Sequence, residues 1–115
     1  MRTDLQKKGA ASIFLAAVFF AACTKQPASN PQLTLPERGK QVYMANCIAC
    51  HNPDPTKDGA VGPAVAGSSL ELLKARVLEG SYPPGYQPKR QSKAMSALPQ
   101  LKDQIEALHA FLNTK

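Results

Sequence analysis

"CIACH", residues 47–51, lies in the middle of a 115-residue chain that has three cysteines and two histidines. Two thiols three positions apart, followed at once by an imidazole, admit three chemistries: a redox or disulfide pair, a zinc site, or covalent attachment of a haem. Zinc asks for four ligands, and the remaining candidates are His109, far along the chain, and Cys23. A thioredoxin-like pair needs a βαβ setting, and residues 34–115 show no alternating β-branched pattern. Haem attachment uses every residue of the motif. Each cysteine adds across one vinyl group, and the next residue then sits under the iron with a ring nitrogen to bind it. The spacing reads as one haem c, covalent through Cys47 and Cys50, with His51 as an axial ligand.

Upstream of the motif the chain reads as an exported protein. Residues 1–22 carry Arg2, Lys7 and Lys8, then an apolar run from Ala10 to Ala22. A basic start, a short apolar stretch and small residues before a cut make an export signal, and the run is shorter than the roughly 20 residues of a spanning helix. Phe20-Ala21-Ala22-Cys23 is similar to a bacterial lipobox, although Phe20 stands where such motifs usually have Leu, Val or Ile. Lipid attachment at Cys23 would account for an odd thiol in an oxidising compartment and hold the chain to the periplasmic side of a bacterial membrane. Without the lipid, the protein would be soluble in the periplasm. From Thr24 to Pro36 the chain is polar, with three prolines. This is linker composition. The expected organisation is therefore a lipoprotein-type signal over 1–22, a flexible tether over 23–33 and one domain over 34–115.

Removing residues 1–22 takes three basic residues and Asp4, lowering the formal charge from +6 to +4, eleven basic residues against seven acidic. That balance suits docking to an acidic protein. It lacks the basic density and interleaved aromatics of nucleic-acid binding.

An iron held by His51 has a sixth position, and its occupant decides between electron transfer and small-molecule chemistry. Met1 lies in the signal, and Met44 is too close to Cys47 to reach the opposite haem face. Met95 follows His51 by 44 residues, and in "KAMSALP" the small neighbours Ala94, Ser96 and Ala97 leave room around its sulfur. Met95 is the expected ligand. His109 is the rival, about 80° from the centre of the stripe Leu101, Ile105, Leu108, Leu112 at 100° per residue. The alternative role for Met95 is core packing.

Three helices follow from pattern. Leu35-Pro36-Glu37 looks like a helix start, with proline in the first turn where its missing N–H is harmless. Gly39, Tyr43 and Cys47 recur every four residues and so share one face. A mid-helix glycine suggests that another backbone passes close by. Leu108-x-x-Phe111-Leu112 is the expected partner. Between them, Ser68-x-x-Glu71 reads as a capping box opening a helix with Leu70, Leu73 and Val77 on one face and Gly80 as its stop. In "SYPPGYQPKR", residues 81–90, Pro84-Gly85 fits the centre of a type II turn and the stretch reads as a pocket wall. Tyr82, Tyr86 and Arg90 are candidates to meet haem propionates.

Taken in order, Gly39-x-x-x-Tyr43-x-x-x-Cys47-x-x-Cys50-His51, then Gly62-Pro63, Met95 and Leu108-x-x-Phe111-Leu112, the chain from Thr34 to Lys115 resembles class I mono-haem cytochromes c. The resemblance implies an all-α fold, about three helices with long loops wrapped around one covalently bound haem. It also implies that Pro63 offers a backbone carbonyl to the second N–H of His51, making the histidine a better ligand. Lys102-Asp103 stands where the family often has a Ser or Thr cap before the last helix. Roughly 80 residues bury too little surface alone, and the cofactor supplies the missing core.

The function expected is a single-electron carrier and not an enzyme. No paired carboxylates, nucleophile with base, or phosphate loop suggests a small-molecule substrate. Lys89, Arg90 and Lys93 lie shortly before Met95 and form a candidate docking patch for a redox-partner protein; their other reading is solvated charge or propionate neutralisation. The carrier is expected to be a monomer with no nucleic-acid partner. Two alternatives stand: a peroxidase or gas sensor with an open sixth position, and an electron-delivering subunit of a larger membrane oxidase or dehydrogenase.

Overall fold

The structure, a computed structural model, describes residues 33–115. The expected signal, most of the tether and the lipid site Cys23 lie outside the described residues. Among those described there are three helices and no strand, the small helical cytochrome c architecture expected.

Helix α1, Leu35–Asn46, starts where an extended Thr34 turns into the helix and Pro36 occupies the first turn. Glu37 secures the start: its carboxylate accepts from the Thr34 N–H at 2.8 Å and the Thr34 hydroxyl at 2.7 Å. These bonds, the hydroxyl's first, hold the Glu37 carboxyl below its ordinary range. A helix leaves its first N–H groups without intrahelical partners, and a T-x-x-E start supplies acceptors for them. Of the two residues the sequence offers before the Pro36-Glu37 start, Thr34 and Leu35, the cap is Thr34. Cys47 closes the helix, its N–H bonding the Tyr43 carbonyl, and the Cys47 carbonyl then accepts from His51 at 2.9 Å. The attachment motif is thus wound onto the C-terminal turn of α1.

Helix α2, Leu70–Leu73, runs directly into a π-helical turn, Lys74–Leu78. The cap is Ser69 rather than the expected Ser68. Ser69 has the extended backbone of a cap and its hydroxyl oxygen accepts from the Leu72 N–H at 3.2 Å, whereas the Ser68 hydroxyl donates to the Val65 carbonyl at 2.6 Å. Only one of two adjacent serines can adopt the capping geometry, and Glu71 then falls one place short of the box. Leu73 and Val77 are buried, Leu70 is half-buried, and Gly80 terminates the segment in the left-handed region at φ 69°. Pro84-Gly85 forms the expected turn, with Gly85 at φ 78° and the Tyr86 N–H bonding Pro83 O at 3.1 Å.

A 3₁₀ turn, Pro99–Gln104, leads into α3, Ile105–Leu112. No side chain caps α3; the tighter 3₁₀ winding, begun by Pro99, replaces the missing Ser or Thr. The far end is tied to the loop before α2: Gly67 N–H bonds Leu112 O at 2.8 Å, and the Asn113 amide bonds Ser68 O at 2.9 Å.

Helices α1 and α3 form the largest contact. Gly39 allows it, because a Cβ there would run into the Ala107 carbonyl and the Phe111 side chain. One turn on, Tyr43 meets Phe111 with ring centroids 5.5 Å apart. The predicted stripe Leu101, Ile105, Leu108, Leu112 is buried throughout, and with Tyr43, Leu73 and Val77 it forms the core. Tyr43 and Leu108 are its most deeply buried large side chains.

Candidate functional site

Beside this core the three helical segments and the loops between them enclose a cavity of about 320 Å³. Its wall includes Cys47, Cys50 and His51 from the end of α1, Gly62 and Pro63 from the following loop, and Met95 from the segment before the 3₁₀ turn. The sequence placed these residues up to 48 positions apart, and the fold brings all five candidate haem contacts, Cys47, Cys50, His51, Pro63 and Met95, to one space. Apolar side chains of α2, its π turn and α3, among them Leu72, Leu73, Val77 and Leu108, complete it. The volume falls in the range of ligand pockets, which are mostly apolar with a few placed polar groups.

His51 is the most constrained polar group. Its Nδ1 lies 2.9 Å from the Pro63 carbonyl oxygen. A carbonyl only accepts, so Nδ1 carries the proton and Nε2 is the basic nitrogen. Gly62 stands against the ring: a Cβ there would meet Cε1, Nδ1 and Nε2 together. The Cys50 carbonyl accepts from the Val61 and Gly62 N–H groups at 3.2 and 2.9 Å, folding the loop onto the motif. Gly59 has its own tight place, because a Cβ would reach the Cys50 carbonyl and the Asn52 amide nitrogen. Tyr43 adds a third support, its hydroxyl donating to Asn52 O at 2.6 Å. Burial pushes the Tyr43 phenol up to about 12, so it remains a donor at any physiological pH.

Cys47 and Cys50 are free thiols, both half-buried. Burial pushes the Cys47 thiol up to about 11. Among the described residues no group of three or more His, Cys, Asp or Glu side chains is placed to hold a metal ion. His109, the rival ligand, is half-buried and lines no part of the cavity. Met44 is exposed on the surface of α1.

The 81–90 stretch is a cavity wall, as expected. Tyr82 and Tyr86 stack at 5.4 Å with their rings nearly parallel, and both line the space with Arg90. The cationic groups here do more than face solvent. Lys89 Nζ donates to Ala64 O at 2.8 Å, and Arg90 donates to Val61 O at 2.9 Å. Arg90 also pairs with Asp58 at 3.3 Å. The Ala64 N–H bond, with Arg90 and Lys89 nearby, holds the Asp58 carboxyl below its ordinary range. These bonds clamp the loop that carries Gly62 and Pro63. Lys93 is exposed and outside the cavity wall. The sequence reading missed Arg76, which lines the cavity from the π turn and lies over the Tyr82 ring at 4.9 Å. A lone arginine in "KARVL" carries no motif signal.

The residues fit a haem on four counts: paired free thiols at attachment spacing, an oriented imidazole beside them, a glycine whose side chain would collide with that imidazole, and an apolar floor. No curated protein and no solved structure matches the chain. A family model does: that of cytochrome c matches residues 36–115, from the first turn of α1 to Lys115. With that match spanning the helices and the cavity, the chain belongs to the cytochrome c family, whose haem c serves electron transfer.

Proposed function

We propose that this protein is a single-electron carrier with His51 and Met95 as axial ligands of one haem c bound through Cys47 and Cys50. A haem held there supplies a one-electron Fe(III)/Fe(II) couple. The chain's own groups set how well that couple works. Thioether bonds at Cys47 and Cys50 keep the cofactor from dissociating, and the Pro63 carbonyl holds the His51 ring in one tautomer and one orientation. Met95 offers a neutral, polarisable sulfur that favours the ferrous state and raises the potential. The apolar wall excludes water, which acts in the same direction. With His51 and Met95 both holding the iron, a bound haem would change oxidation state with little movement of its ligands and would leave no position open to a substrate.

The observation that supports this reading is the sharing of one cavity by Met95, His51 and both cysteines. It is tested by the optical spectrum of the ferric, haem-loaded protein and of Met95→Ala. A weak far-red methionine-to-iron band, present in the wild type and lost in the variant, is expected. A high-spin wild-type spectrum without that band would overturn the carrier reading in favour of an open site handling peroxide or a gas.

The reading extends to where the protein is held. The charge and tether composition of residues 1–33 support a bacterial lipoprotein anchored through Cys23 on the periplasmic side of a membrane, with the class I domain over 34–115. Redox partners are acidic proteins that dock at Lys89, Arg90 and Lys93.

A further inference from the structure

Met95 sits in a stretch without regular structure between Arg90 and the 3₁₀ turn. An axial thioether must stay on the iron against water and other ligands, so the main chain that carries it has to be held. Among the described residues, two hydrogen bonds leave the backbone of residues 93–98 for a distant part of the fold, and both end on the π turn. The Leu98 N–H donates to Val77 O at 2.6 Å, using a carbonyl that the end of a helix leaves without a partner. Arg76 Nη2 donates to Met95 O at 3.2 Å. The same guanidinium donates through Nη1 to Gly80 O at 2.7 Å and lies over Tyr82. Its planar fork therefore bridges the helix stop, the cavity wall and the Met95 backbone at once.

We propose that Arg76 is the positioning residue for the sixth ligand, clamping the Met95 backbone so that its sulfur outcompetes exogenous ligands. This rests on Met95 being that ligand. The alternative role for a cation on the cavity wall is neutralisation of a propionate, which depends on charge and not on the fork.

Imidazole separates the two. It is titrated into the ferric, haem-loaded full-length protein, and loss of the far-red band is followed in the wild type, Arg76→Gln and Arg76→Lys. An external ligand binds in proportion to the population in which the sulfur has left the iron. Loss of one charge-assisted hydrogen bond is expected to tighten apparent imidazole binding about tenfold in both variants. Lysine keeps the charge and three donors, but all on one nitrogen and without the planar fork that reaches Gly80 O and Met95 O from separate nitrogens while lying over Tyr82. Wild-type imidazole affinity in both variants, or full recovery in Arg76→Lys, would overturn the proposal. Helical circular dichroism checks folding. Should the glutamine variant fail to load haem, the lysine variant, which keeps stem and charge, decides the matter. A wild type without the far-red band would instead remove the Met95 reading, so the two failures are told apart.

Discussion

The hydrogen bond between His51 Nδ1 and the Pro63 carbonyl leaves Nε2 as the nitrogen that an iron can take, and its 2.9 Å length depends on the loop backbone lying flat against the ring. Gly62 is what lets it lie there. Any side chain at that position must displace the imidazole, since its Cβ would overlap three ring atoms. Gly62→Ala is therefore expected to destabilise the loaded protein by about 1–3 kcal/mol, as overpacking does, and to lower the haem content per chain. Denaturant unfolding and the absorbance of alkaline pyridine extracts measure the two effects. Full loading with unchanged stability would show that the ring has room that the geometry denies it.

At the scale of elements, the crossing of α1 and α3 carries the fold. A glycine inside a helix lowers its intrinsic stability by about 1 kcal/mol relative to alanine, so a helix considered alone would gain from Gly39→Ala. In the folded protein the new methyl would strike the Ala107 carbonyl, which is backbone and cannot rotate away. The two helices would have to separate, opening the contact between Tyr43 and Phe111. The packing effect wins, and Gly39→Ala is expected to lose about 3 kcal/mol or more in chemical denaturation. A neutral or stabilising result would mean that the crossing is looser than its geometry. The π turn belongs to the same scale. It joins α2 to the Met95 segment through Val77 O and the Arg76 guanidinium, work that a regular helix of the same residues gives no reason to expect.

For the whole molecule, charge governs encounter with partners. The domain is modestly basic, and Lys89 and Arg90 stand at the cavity while Lys93 is exposed on the segment between them and Met95. Because Lys89 and Arg90 also bond the carbonyls of the 59–64 loop, their side chains are held rather than swinging freely. If they dock an acidic redox protein, its reduction rate is expected to fall about tenfold between about 0.01 and 0.1 M ionic strength, as the screening length shrinks from roughly 30 to 10 Å. Lys93→Glu should slow the low-salt reaction. Stopped-flow kinetics give both numbers, and a flat salt profile would remove the docking patch.

What the sequence determined by itself is the local chemistry: the attachment motif, the helix faces and the turn at Pro84-Gly85 depend on residue type and on spacing over a few positions. The stripe from Leu101 to Leu112 and the Gly39-Tyr43-Cys47 face were legible for that reason, because helical period is written in the chain. The tertiary structure decided what depends on distant backbone. Which of two serines caps α2, why Gly62 must lack a side chain, and that Arg76 reaches Met95 across 19 residues follow from where carbonyls and amides arrive after packing. Backbone groups are identical at every position, so nothing in residue identity announces where they will meet.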